Sequence, residues 1–321
     1  MPACALQNPV VTEPKKLVIA FGPELPGVGS WEWIGGDMAQ ELSGRFQTLT
    51  FKKTIPRCDL LVLLKDKYFI PQEEILSAAQ KVPVIFCPVD LYGSSAEIDR
   101  DWRLLRNCSR VILHADVLRK YFQSYAVVDY LDHHLKYIAP LRKDYPTEGP
   151  ILWTGMRTNL PPLAEWVNRH PLPAELWILT NLNASEQTVS PQQFGFRANE
   201  KIRIESWNPE KHREWAGLAK AAIDIKGTDF RQRHKPPTKA MDCIASGLPL
   251  AMNPECNSVT HLASLGFEVV SPHDVLHWFS REYWDETQQF ARRLRASLSR
   301  KQVGERFQQI INDVLVERSN R

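Results

Sequence analysis

The chain has 321 residues, 43% hydrophobic and 24% charged, which excludes wholesale disorder and fibrous repeats and is enough for about two domains without disulfide staples. Its net charge of +3 is too small to indicate a nucleic-acid partner, and all of the excess lies in residues 281–321. No run approaches the roughly 18 apolar residues of a membrane span, residues 1–15 hold no apolar block of signal-peptide length, and the six cysteines are scattered without a C-x-x-C pair, so the expectation is a cytoplasmic protein with reduced thiols.

Leu17-Val18-Ile19-Ala20-Phe21-Gly22 is a short apolar run closed by glycine, the pattern of a buried strand. Residues 23–36 hold four glycines and two prolines and read as a loop, and residues 37–42 read as a helix. Further strands are predicted over 59–64, 83–87 and 109–114, with helices over 72–80 and 115–124. Apolar runs alternating with helical segments predict a parallel sheet covered on both faces. The pattern breaks at Pro140, Pro146, Gly149 and Pro150, which places a first domain over residues 1–145 and a second over 146–280. The second half repeats the grammar, with strands over 151–155, 176–180, 202–206, 221–225 and 250–252 and helices over 162–168 and 211–220. Residues 281–321 place Phe290, Leu294, Leu298, Val303, Phe307 and Ile311 at helical spacing, which predicts amphipathic helices packing back across the domains. Contact with an anionic membrane surface is the other use of such a basic amphipathic segment.

Residues 226–239 carry five Lys/Arg against one acid in an otherwise balanced chain. The segment follows a predicted strand, at the edge where open α/β sheets bind ligands. It precedes a helix starting near Pro237-Thr238, whose free N–H groups and dipole favour an anion. Lys226, Arg233, Lys235 and Lys239 are therefore candidate phosphate contacts, a solvated basic face being the plainer use of such a loop. Residues 253–258 form a second loop at the same edge, where Ser258 is available to a hydroxyl.

Lys235-Pro236-Pro237-Thr238-Lys239-Ala240-Met241-Asp242-Cys243-Ile244-Ala245-Ser246-Gly247-Leu248-Pro249 resembles the nucleotide-sugar signature of GT-B glycosyltransferases, above all the retaining group 1 family. The resemblance covers residues 151–272, and the first half only as repeated architecture. It implies an α/β protein of GT-B type, two doubly wound Rossmann-like domains with a cleft between them. It further implies transfer of a sugar from a nucleotide-diphosphate donor on the second domain to an acceptor on the first, with retention and with neither metal nor cofactor. Asp242 occupies the later of two family acid positions and is expected at the donor ribose. His234 stands at the earlier one, where the family has glutamate, and is expected to modulate donor binding without acting as a base. Gly155 marks the turn of the second domain's first strand toward the donor, and Arg157 lies one place beyond the family's arginine. The lysine that completes the family's two-cation clamp is missing, so Lys226, Arg233, Lys235 or Lys239 must substitute. A non-catalytic GT-B-like binding or scaffold protein is the rival that the His234 departure leaves open, and a sugar-nucleotide epimerase is a third reading.

The first half offers Asp90, just after a predicted strand, and His114, at the end of another, as candidate catalytic residues that orient an acceptor hydroxyl. Their plainer uses are a turn aspartate and a satisfied structural histidine. The glycines of residues 27–36 lack G-x-G-x-x-G spacing and are no dinucleotide fingerprint. His133-His134 have no third ligand in sequence and read as structural, and Asp99-Arg100-Asp101 reads as a charged helical face and not a metal site. Trp31 and Trp33 flank the glycine-rich segment, where an indole face suits a sugar, whereas Trp153, Trp166, Trp177 and Trp215 suit packing.

Overall fold

The computed structural model describes residues 16–65, 69–183, 186, 189–198 and 201–320, so Cys4 and the leader reading of residues 1–15 lie outside the described residues. Eleven strands among them form two sheets. In the first, β1 (Val18–Gly22), β2 (Gln47–Thr50), β3 (Leu60–Leu64), β4 (Val84–Cys87), β5 (Arg110–Leu113) and β6 (Val128–Tyr130) lie in the order β2-β1-β3-β4-β5-β6. In the second, β7 (Ile151–Thr154), β8 (Leu176–Thr180), β9 (Ile202–Ser206), β10 (Ala221–Asp224) and β11 (Leu250–Met252) lie in the order β11-β10-β7-β8-β9. All the ladders are parallel. A parallel sheet needs both faces covered, and β3 shows how the sequence meets that need. Its five residues are all buried, with Leu60, Val62 and Leu64 facing one apolar cluster and Leu61 and Leu63 the other.

Two strands give no signal in the sequence. β2 is a half-exposed edge strand, Gln-Thr-Leu-Thr, and β6 is a three-residue edge, so neither forms an apolar run. The expected loop over 23–36 also needs correction. Trp31–Gly36 winds into a π-helical turn that continues into the helix Asp37–Leu42. Gly35 permits it, because a Cβ there would lie 2.2 Å from the buried Trp31 indole. The buried Trp31, Ile34, Met38 and Leu42 repeat at helical spacing, a pattern that the glycines obscure.

The helices Arg281–Ser297 and Arg300–Ser319 are joined at a capping box, in which Ser299 and Gln302 bond each other's backbone N–H groups. Phe290, Leu294, Leu298, Val303, Phe307 and Ile311, the stripe on which the membrane expectation rests, are buried inside the protein. The last helix packs on the first sheet: Phe307 meets Phe21 edge-on at 6.1 Å, Gly304 seats Glu41, and Arg110 pairs with Glu317. One apolar cluster accordingly runs from β1 and β3 through these helices to β7 and β10. No helix among the described residues is long and apolar enough to cross a membrane, and the described cysteines are free thiols.

Candidate active site

The strand order of the second sheet reverses between β7 and β10, because the chain leaves β7 toward β8 and returns to β10 on the opposite side. The carboxyl ends of such a pair flank a crevice where doubly wound sheets bind ligands. Gly155 follows β7, and Asp224 ends β10. The Asp224 carboxylate is 2% exposed and pairs with Lys226 at 2.7 Å and Lys239 at 2.5 Å. Burial pushes its pKa up, but the two lysines outweigh that and hold it below the usual carboxylate range. The Lys239 ammonium also lies 4.5 Å over the Trp153 ring, and burial pulls its pKa down to about 8 against the pull of Asp224. A Cβ on Gly155 would lie 3.0 Å from Trp153 and 3.5 Å from the Lys239 Nζ, so glycine keeps this corner open.

Lys235 reaches across to Asn159, beyond β7, donating to its Oδ1 at 2.7 Å. No carboxylate among the described residues lies within ion-pair distance of it, and burial, with Lys226 adding to it, lowers its pKa. Asn253 bonds both the N–H and the carbonyl of Lys226, and Asn257 donates to the Lys235 carbonyl, so the loop after β11 braces the basic loop. Ser258 is buried in the first turn of the helix Asn257–Ser264, and Arg233 is exposed at the end of the short helix Phe230–Arg233. Arg157 already has a partner, since Glu186 accepts from it at 2.8 Å.

Lys239 and Asp242, three residues apart on one helix, meet different partners. In the helix Thr238–Ala245 and its cap, Thr238, Asp242 and Ser246 are four residues apart, and all three meet the segment joining the domains. His133 Nδ1 contacts Thr238 Oγ1 at 2.6 Å, the Lys136 N–H donates to Asp242 at 3.2 Å, and the Ala139 N–H donates to Ser246 Oγ at 3.1 Å. Asp242, expected at a ribose, is thus buried and engaged with the linker backbone. Burial pushes its pKa up to about 7, against the pull of the Lys136 and Tyr137 N–H groups.

Across the cleft, Asp90 is the one non-glycine residue with positive φ among the described residues, at 53°, in the loop that leaves β4. Asp90, His114 and His234 line one narrow cavity, walled by Ile112, Leu118 and Pro236. His114 is 4% exposed, and burial pulls its pKa down to about 4, so the ring is neutral at physiological pH. The basic loop forms the other wall: Phe230 and His234 pack on Tyr121, and Arg231 donates to the Leu91 carbonyl. The Asp90 charge acts on both Lys226 and Lys235, so a carboxylate on the first domain opposes cations on the second.

The structure thus gathers Gly155, Lys226, Lys235 and Lys239 at the end of the second sheet, while His234 of the same basic loop meets Asp90 and His114 of the first domain at one cavity. Sequence reasoning missed Asp224 and Asn159, although an acid closing a strand two residues before a lysine is a usable signal. It also missed Asp37, which pairs with Lys136 at 2.6 Å and His134 at 3.1 Å and ties the first domain to the linker. Trp31 is a core residue, while the half-buried Trp33 donates to the His134 carbonyl and stacks on His133. Asp99 and Asp101 accept from Tyr125 and Tyr92, and no group of three His, Cys, Asp or Glu among the described residues could hold a metal ion.

No protein-family model matches the chain, and no curated protein matches it in sequence. Solved structures match it in shape. HepE of Anabaena, in complex with UDP, aligns with a TM-score of 0.59 at 10% identity over 93% of this chain and 100% of that one. AviGT4, a glycosyltransferase involved in avilamycin A biosynthesis, aligns with a TM-score of 0.56 at 12% identity over 94% and 98%. SpnP, the spinosyn forosaminyltransferase, aligns with a TM-score of 0.52 at 9% identity over 93% and 100%. At these identities the likeness is one of fold, and that fold is GT-B, with parallel sheets of six and five strands.

Proposed function

We propose that this protein is a glycosyltransferase that moves a sugar from a nucleotide-diphosphate donor, held by the second domain, to an acceptor held by the first. The observation that carries the reading is the gathering of Lys226, Lys235 and Lys239 at the β7/β10 switch point, opposite Asp90 and His114. As the glycosidic bond breaks, negative charge builds on the departing diphosphate, and fixed cations stabilise it without a metal. Lys235 meets that charge from Asn159, and Asp224 holds Lys226 and Lys239 in place until the diphosphate shares them. Asp90 and His114 orient the acceptor. Retention of anomeric configuration is proposed with the group 1 resemblance that implies it.

Titration calorimetry with UDP, GDP and ADP tests the donor half. One nucleotide should bind, and Lys235→Ala should weaken it about ten- to hundredfold, the loss of one charge-assisted contact. Binding of none of the three would refute it. Turnover of the matching sugar nucleotide with release of the nucleoside diphosphate, unchanged by EDTA, tests the transfer. A non-catalytic binding protein is the second reading, favoured by one observation: Asp224 already occupies Lys226 and Lys239, and Glu186 occupies Arg157. Nucleotide binding without turnover would select it.

A further inference from the structure

The basic loop is braced at both ends by its own domain: Asn253 bonds Lys226 at one end, and Asn257 and Asn159 bond Lys235 at the other. Between them Asp229 caps the short helix Phe230–Arg233, accepting from the Gln232 N–H at 3.0 Å, so the tip is a preformed unit. This tip crosses to the other domain. Among the described residues, Phe230 is the one beyond the linker that packs on the apolar cluster of Leu61, Leu63, Phe86 and Val111 in the first sheet. Its ring lies 5.4 Å from that of Tyr121, and His234, 4.2 Å from Phe230, reaches the same tyrosine at 5.8 Å. Arg231 adds a hydrogen bond to the Leu91 carbonyl at 3.2 Å. Two cavities remain along this seam, each with room for about one water molecule. The grip rests chiefly on one aromatic contact and one hydrogen bond from an exposed guanidinium, which is a grip that can be released.

We infer that residues 229–234 are a latch that holds the cleft shut, and that a donor gains its site only once Phe230 leaves Tyr121. The inference rests on the transferase reading for the identity of what enters. In the latched state the cations assigned to the diphosphate are covered, since the Lys226 side chain is 9% exposed and that of Lys239 21%. Latching and binding therefore compete, and the apparent nucleotide affinity is the intrinsic affinity scaled by the unlatched fraction. Loosening the latch strengthens binding, the opposite of what the loss of a ligand contact does.

Tyr121→Ala removes the first domain's half of the contact and leaves the sequence of the basic loop intact. On the full chain, calorimetry with UDP, GDP and ADP should show the nucleotide that binds held about two- to tenfold more tightly, the worth of one aromatic pair. Native-state trypsin, which cuts after Arg231 and Arg233 when the tip is free, should act faster by the same factor, because both measurements read the unlatched fraction. Phe230→Ala, on the other side of the contact, should do the same, and the double variant should add little to either single. Melting curves identify which variants are folded, and either one alone suffices for the test. Unchanged cleavage overturns the latch, and so does a nucleotide that the folded variants bind no more tightly than the parent. The two readings fail separately. Faster cleavage with no nucleotide bound by parent or variants defeats the donor reading and leaves a latch between the domains, whereas a nucleotide bound by the parent with no gain in the variants defeats the latch alone.

Discussion

Burial and the neighbouring Lys226 pull the Lys239 pKa down, Asp224 pulls it up, and about 8 is the resultant. A bound diphosphate adds negative charge and raises that pKa, so binding above pH 8 must take up a proton. Nucleotide affinity should therefore fall as pH rises beyond about 8, and Lys239→Gln should flatten the profile. Calorimetry in buffers of different ionisation enthalpy measures the uptake directly, and a slope that persists in Lys239→Gln would contradict the assignment. Asp242 makes the opposite kind of demand. Its folded pKa is raised to about 7, so its stabilising contribution is full below the unfolded value of 3.8 and is lost as pH rises through 7. Asp242→Asn should melt above the parent at pH 8 and lose that advantage toward pH 4, a comparison that thermal denaturation at the two values settles. The sequence showed the cations of this site because they are clustered within residues 226–239. It did not show their pairing, since Glu186 comes to Arg157 from a loop 29 residues away and Asp224 looked like the end of a strand.

The helix Thr238–Ala245 holds Lys239 against Asp224 and holds Thr238 and Asp242 against the linker, so its ends matter more than those of a surface helix. Gly247 closes it in the left-handed region at φ +74°, and a Cβ there would lie 2.4 Å from Gln288, which donates to the Gly247 carbonyl. Gly247→Ala should lower stability by about 1–3 kcal/mol through backbone strain and crowding, read as a drop in Tm; an unchanged Tm would show that the turn relaxes freely. Elements were legible in the sequence in proportion to how completely they are buried. Leu60–Leu64 and Leu176–Thr180 stood out as apolar runs, whereas the half-exposed Gln47–Thr50 did not. The turn Trp31–Gly36 failed for another reason: glycine there serves the packing of Trp31, while glycine in a sequence reads as loop.

At the scale of the whole molecule, Asp37 is where three separate stretches of chain meet: His134 and Lys136 of the linker and Arg300 of the last helix all approach its carboxylate. Burial pushes the Asp37 pKa up, but the bonds from His134 and Lys136 outweigh that and hold it down at about 2. Its contribution is therefore present above the unfolded value of 3.8 and lost as pH falls through 2. Asp37→Asn should remove about 2 kcal/mol at neutral pH and nearly nothing near pH 2, measured by urea denaturation at both. Loss of equal size at the two pH values would mean that the contacts and not the charge matter. The last helix has a consequence for the order in which the protein can be made. Phe307 completes the packing around Phe21, and Gly304 seats Glu41, yet these partners lie some two hundred and sixty residues apart or more. A ribosome delivers the first sheet long before the helix that covers it, so β1 and the helix Asp37–Leu42 spend most of synthesis with an apolar face unfilled. The second sheet meets no such delay from this helix. The half that is translated first is therefore the half that finishes folding last, and the nascent chain depends on its first sheet staying unaggregated until residues 300–319 emerge.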